Sequence, residues 1–89
     1  MEILPLYYQQ KFCYIIIEVV HGKLAIRLKE LREERGLSQM AAGTALGVSR
    51  STIAGYETKG RQPDIGMLIN IADYFDVSLD YLVGRTDER

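Results

Sequence analysis

The stretch from Ser38 to Glu57 limits the possible folds of this chain more than any other segment. It reads SQMAAGTALGVSRSTIAGYE and holds two serines, each followed by a run able to form a short helix. Ser38 and Ser49 are expected N-caps, because a serine hydroxyl accepts a hydrogen bond from a free amide of the first helical turn. Only Gly47 and Val48 separate the first run from the second cap. The stretch therefore predicts two short helices that cross closely at a tight turn, the second with a polar and basic start.

The segment before these two helices has the periodicity of an amphipathic helix. Leu24, Leu28 and Leu31 recur at i, i+4 and i+7, and charged residues occupy the remaining faces. Gly36 is expected to end this helix in a left-handed conformation, so that Leu37 folds back onto its last turn.

Two further helices are predicted after a loop that contains Gly60 and Pro63. Asp64 and Ser78 are their expected N-caps, and residues 85–89 are expected to form a frayed tail. Apolar side chains repeat at helical spacing in both helices: Leu68, Ile71, Ala72 and Phe75, then Leu79, Leu82 and Val83. Residues 23–84 are therefore predicted to form a mainly α domain of five helices.

Residues 1–22 differ in character from the rest of the chain. Fourteen of the 22 are apolar, and the run FCYIIIEVV at positions 12–20 is rich in β-branched and aromatic residues, which favours a strand or, with residues 4–8, a hairpin. Three interpretations stay open: the strand pairs with its copy in another subunit, packs on its own helices, or is a poorly ordered leader. Because both faces are apolar and the domain can cover only one, a dimerisation arm is favoured.

The composition argues against several classes of protein. Eighty-nine residues allow one domain, and one histidine with one cysteine cannot form a catalytic triad or a metal-ligand cluster. Neither catalysis nor a cofactor is therefore expected. The apolar run at the N-terminus is interrupted by Glu18, is too short to span a membrane, and lacks the basic start of a signal peptide. A cytoplasmic protein that does not enter membranes is expected.

The net charge of -1 hides an uneven distribution along the chain. Residues 23–63 carry eight basic and four acidic side chains, a balance of +4, whereas residues 64–89 carry two basic and six acidic ones, a balance of -4. One half of the domain could thus attract phosphates while the other repels them.

Residues 24–84 resemble the DNA-binding domain of the phage Cro and repressor type, also called the xenobiotic response element family of helix-turn-helix regulators. The resemblance rests on four motifs in order: LKELREERGLSQ, LGVSRSTIAGYE, RQPD and IADYFDVSLDYLVG. It implies a lambda-repressor-like fold of five helices, with the third helix in the major groove of double-stranded DNA and usually a homodimer on a two-fold operator. The expected function is that of a transcriptional regulator, with repression as the favoured mode.

The same resemblance implies a set of contact residues. The start of the third helix would read the bases, so Arg50 and Ser51 are the main candidates, with Thr52 beside them and Gly55 where relatives often carry a third long polar reader. Arg32 matches a family position whose pair with Glu57 ties the first helix to the third. Candidate phosphate contacts are Ser38, Gln39, Ser49, Lys59 and Arg61.

The chain departs from the family pattern inside the predicted helices. Gly55 removes one expected base contact, and Ala42 and Gly43 replace bulkier residues in the second helix, where a glycine costs about 1 kcal/mol of helix propensity. These gaps shift part of the specificity onto dimerisation through residues 12–20. An alternative hypothesis is a protein-interaction or antitoxin-like module whose N-terminal strand pairs with a partner's sheet.

Overall fold

The computed structural model describes residues 22–58 and 61–89, and these residues form five helices. They are α1 over residues 22–34, α2 over Gln39–Leu46, α3 over Arg50–Glu57, α4 over Ile65–Phe75 and α5 over Leu79–Leu82. The described part is thus mainly α, as predicted, and contains no strand. The predicted strand or hairpin of the N-terminal extension, with its arm at residues 12–20, lies outside the described residues, and Gly22 is already helical.

Each of the four helices after α1 begins at the predicted cap. In every case the cap residue is extended and its side-chain oxygen accepts a hydrogen bond from an amide three residues on. The cap satisfies an amide that would otherwise lack a partner, which is worth about 1 kcal/mol per helix. The pairs are Ser38 with Ala41 at 3.0 Å, Ser49 with Thr52 at 3.1 Å, Asp64 with Met67 at 2.8 Å and Ser78 with Tyr81 at 3.0 Å.

The end of α1 has the predicted Schellman geometry. The amide of Gly36 donates to the carbonyl of Glu33 at 2.9 Å, and the amide of Leu37 donates to that of Arg32 at 3.0 Å. The pattern recurs at the end of α2, where Gly47 has a φ of 74° and the Val48 amide donates to the Gly43 carbonyl at 2.8 Å. These turns direct the chain sharply from one helix into the next.

One hydrophobic core joins the five helices. Its fully buried large side chains come from four different helices, and Ala42 adds a buried methyl group from α2. Each such large side chain contributes about 1.5–3 kcal/mol relative to an exposed position. They are Leu28 of α1, Ile53 of α3, Ile71 of α4 and Leu82 of α5.

Gly43 allows α2 to approach the turn that follows it. A Cβ built on Gly43 would lie 2.6 Å from the carbonyl oxygen of Val48, which is closer than the two atoms can approach. Gly43, which we interpreted from the sequence as a loss of bulk, therefore permits the close crossing of α2 and α3.

The expectation of a frayed C-terminal tail is wrong for residues 85–89. The guanidinium of Arg27, buried in α1, donates to the backbone carbonyls of Tyr81 and Thr86 and to the carboxylate of Asp87, the last two at 2.6 and 2.7 Å. It also stacks 4.1 Å from the centre of the Tyr81 ring. The tail is held because the Thr86 carbonyl accepts a hydrogen bond from this buried cation and the Asp87 carboxylate neutralises its charge.

We predict that Arg27→Ala lowers the free energy of unfolding by about 2–3 kcal/mol, because it removes the charged hydrogen bonds from α1 to Tyr81, Thr86 and Asp87. Urea denaturation followed by circular dichroism measures the change. Lys29→Ala is the matched control, since Lys29 is an exposed cation on the same helix. Equal stability of the two variants would show that the tail is not anchored in this way.

Candidate nucleic-acid interface

The outer side of α3 is formed by its first two residues and by Gly55. Arg50 and Ser51 are exposed, whereas Ile53 and Tyr56 point into the core. The apolar residues thus fix the rotation of α3, so that its polar start faces solvent. The two main candidate base readers lie together at one end of an exposed helical face.

Hydroxyl groups at the start of α3 form a chain of hydrogen bonds. The Ser49 Oγ lies 3.1 Å from the Ser51 Oγ and 2.9 Å from the Thr52 Oγ1. A guanidinium nitrogen of Arg61 donates to the Thr52 Oγ1 at 3.3 Å. Thr52 is buried, so its side chain orients its neighbours and is not itself presented at the surface.

Arg50 occupies the first turn of α3 and is exposed. Its guanidinium makes no ion pair or hydrogen bond with the residues that the structure describes. The partial positive charge at a helix N-terminus disfavours a cation there by about 0.3–1 kcal/mol. An approaching anion, or an acceptor such as a base edge, relieves that repulsion, so this position suits a residue that contacts a ligand.

A buried ion pair holds α3 to α1. The Arg32 guanidinium donates to both carboxylate oxygens of Glu57, at 2.8 and 3.0 Å, and the two side chains are only 11% and 4% exposed. Arg32 also donates to the Leu37 carbonyl at 2.8 Å, so it braces the turn before α2 as well. The hydrogen bond to Glu57 raises the pKa of Arg32 above its usual value.

The candidate phosphate contacts lie on the segments that flank α3. Ser38 and Ser49 are exposed helix caps whose oxygens already accept an amide, and Arg61 is an exposed cation. Gln39 is half-buried, and its amide nitrogen donates to Glu57 at 3.3 Å, which leaves its second N–H available for another acceptor. Lys59 lies outside the described residues.

Two of the eight basic residues counted in residues 23–63 are buried within the fold. Arg27 and Arg32 are buried and paired, and the Arg35 guanidinium lies 5.2 Å from the ring centres of Tyr74 and Phe75. Among the described residues, Arg50 and Arg61 are the cations on α3 and on the segment that packs against it. The charge count along the sequence therefore overstates the positive charge that this surface offers.

Comparison with known proteins places this arrangement in a family. A family model described as helix-turn-helix, HTH_3, matches residues 28–82, which run from within α1 to the end of α5. The chain belongs to the HTH_3 helix-turn-helix family.

Relatives of this chain include two HTH-type transcriptional regulators from Bacillus subtilis. YqaE is 41% identical over 63 residues, which cover 70% of this chain and 54% of YqaE. AnsR is 40% identical over 63 residues, which cover 71% of this chain and 54% of AnsR. The chain spans about half the length of these curated relatives.

Among solved structures, the restriction-modification controller protein C.AhdI from Aeromonas hydrophila is similar to this HTH_3 chain. The two superpose with a TM-score of 0.64 and 31% sequence identity, over 70% of this chain and 94% of C.AhdI. An HTH_3 family transcriptional regulator from Vibrio cholerae superposes with a TM-score of 0.63 and 31% identity, over 73% of this chain and 36% of that protein.

Two features are absent from residues 22–58 and 61–89. No cluster of three or more histidine, cysteine, aspartate or glutamate side chains among them could hold a metal ion. None of the helices in this part of the chain has the length and apolar character needed to cross a membrane.

We predict that Glu57→Gln lowers the free energy of unfolding by about 3–5 kcal/mol, because it leaves the Arg32 charge buried without its partner. Thermal and urea denaturation measure the loss. Glu30→Gln on the exposed side of α1 removes the same charge and serves as the control. If both variants unfold at the same denaturant concentration, the pair does not hold α3 to α1.

Proposed function

We propose that this chain is a transcriptional regulator that binds a short double-stranded DNA operator through α3 in the major groove. The observation that carries the proposal is the exposed Arg50 at the start of α3, in a helix that the Arg32–Glu57 pair braces from behind. Membership of the HTH_3 family and the regulator relatives support the same function.

The proposed base readers are Arg50 and Ser51. The planar fork of an arginine matches the O6 and N7 acceptors of guanine, and such a contact gives about 1–3 kcal/mol of discrimination against another base. The Ser51 hydroxyl can donate or accept, so it suits several bases. Thr52 supports this end of the helix from beneath, and Gly55 offers no side chain of its own one turn further along.

The proposed phosphate contacts are Ser38, Gln39, Ser49 and Lys59, which would hold the protein in register without reading sequence. Gln39 is the best supported of the described residues, because its bond to Glu57 fixes the side chain at the first turn of α2, where the helix dipole favours an anion. Arg61 adds a cation to the same surface.

We further propose that the regulator acts as a homodimer, with residues 12–20 as the dimerisation arm, and as a repressor. A helix-turn-helix unit of this size contacts only one half-site, so a dimer on a two-fold operator gives the affinity that a single unit lacks. A palindromic selected site and a doubled mass in light scattering are the expected results. A monomeric chain that selects an asymmetric site would contradict the homodimer.

We predict that the chain binds a selected duplex with an affinity that falls linearly with the logarithm of salt concentration, and that Arg50→Ala weakens this binding about tenfold or more. Fluorescence anisotropy with a labelled duplex, chosen by selection from a pool with a randomised centre, measures both quantities. Arg85→Ala removes the same charge from an exposed site after α5 and is expected to bind like the parent chain. Binding that does not depend on salt concentration, or that cannot be detected, would contradict the proposed function.

A further inference from the structure

The outer face of α3 has a gap one turn after Ser51, and a side chain from the following loop fills it. Gly55 has no side chain of its own at this position. A Cβ built on it would lie 3.2 Å from the Cβ and 3.4 Å from the Cδ of Arg61. The Arg61 amide also donates to the Gly55 carbonyl at 3.2 Å, so backbone and side chain of Arg61 both rest on this residue.

From Gly55 the Arg61 side chain runs back along α3 towards its start. One guanidinium nitrogen, Nη1, donates to the Thr52 Oγ1 at 3.3 Å, three residues and about 4.5 Å of helix before Gly55. The Thr52 hydroxyl is in turn fixed by the cap residue Ser49 at 2.9 Å. The charged end of Arg61 is therefore held at the first turn of α3, beside the proposed base readers.

The remaining donors of this guanidinium are suited to a further partner. An arginine carries five N–H donors in a rigid plane, and the bond to Thr52 uses one of them. Arg61 is exposed overall, so the other donors are accessible to a ligand. A side chain that only needed to neutralise a phosphate would gain little from being oriented by two contacts with α3.

We propose that Arg61 reads a base edge in the major groove, and that it takes the place of the long polar side chain that Gly55 lacks. The proposal rests on the proposed function, since it requires α3 in the groove. It gives Arg61 a role in specificity in place of the phosphate contact that the family resemblance implies. Gly55 is then a positioning residue, because its missing Cβ makes room for the arginine.

The test compares base preferences of the full chain with those of Arg61→Ala, Arg61→Lys and Gly55→Ala. Each protein selects from duplexes with a randomised centre, and its affinity is then measured for the parent site and for every single-base substitution of that site. Arg85→Ala is the charge-matched control, and thermal denaturation checks that each variant is folded. Gly55→Ala removes no functional group and replaces glycine by a better helix former, so it acts on DNA binding through Arg61.

The expected result is a change at one base pair of each half-site. The parent chain prefers guanine there about tenfold, and Arg61→Ala and Arg61→Lys both lose that preference while the guanine preference set by Arg50 remains. Lysine keeps the charge but lacks the fork, so it does not rescue the reading of a base. Gly55→Ala alters the preference at the same base pair, and Arg85→Ala alters none.

Two outcomes would overturn the inference and leave the proposed function standing. In the first, Arg61→Ala weakens binding to all duplexes equally and Arg61→Lys restores it, which identifies a phosphate contact. In the second, Arg61→Ala binds every duplex like the parent chain. If instead the parent chain enriches no duplex at all, the proposed function fails and this inference fails with it.

Discussion

The ion pair between Arg32 and Glu57 is the interaction on which the geometry of the candidate interface depends. It joins the last turn of α1 to the last residue of α3 through two hydrogen bonds, and both side chains are almost fully buried. Burying two charges is costly unless they satisfy each other, so any rotation of α3 that separates them is strongly opposed. The same carboxylate accepts from Gln39, so one buried group sets the relative positions of α1, α2 and α3.

The outer surface that this pair supports carries few long side chains of its own. Gly55 accounts for part of this. At Gly55 and at the buried Gly43, a neighbouring segment occupies the space beside the glycine. Gly43 lets the turn at Val48 approach α2, and Gly55 lets Arg61 lie across α3. The close crossing of α2 and α3 depends on the missing Cβ of Gly43, and the position of the Arg61 charge depends on the missing Cβ of Gly55.

Features that depend on a few adjacent residues could be predicted from the sequence. The caps Ser38, Ser49, Asp64 and Ser78 were predictable because a cap acts on an amide only three residues away. Periodicity predicted α1, α4 and α5, whereas the caps and the short Gly47–Val48 turn predicted α2 and α3.

Contacts between residues far apart in the sequence, and the packing beside glycines, could not be predicted in this way. The anchoring of the tail by Arg27 could not be predicted, since its partners are mainly backbone carbonyls more than fifty residues away, and every residue has a carbonyl. Gly43 and Gly55 were interpreted as lost bulk, because a sequence does not show which atoms fill the space beside a glycine. The charge count overstated the surface charge for a related reason, since Arg27 is buried; Arg32 is buried together with Glu57, so that pair leaves the balance unchanged.

In the proposed complex, α3 lies in the major groove with Arg50 on a guanine. Methylation protection on the selected duplex tests it most directly, because dimethyl sulfate modifies guanine N7 in the major groove and adenine N3 in the minor groove. We expect the bound chain to protect guanine N7 within each half-site, and Arg50→Ala to lose this protection at one guanine. Protection of adenine N3 alone, with every guanine N7 still reactive in the complex, would contradict it.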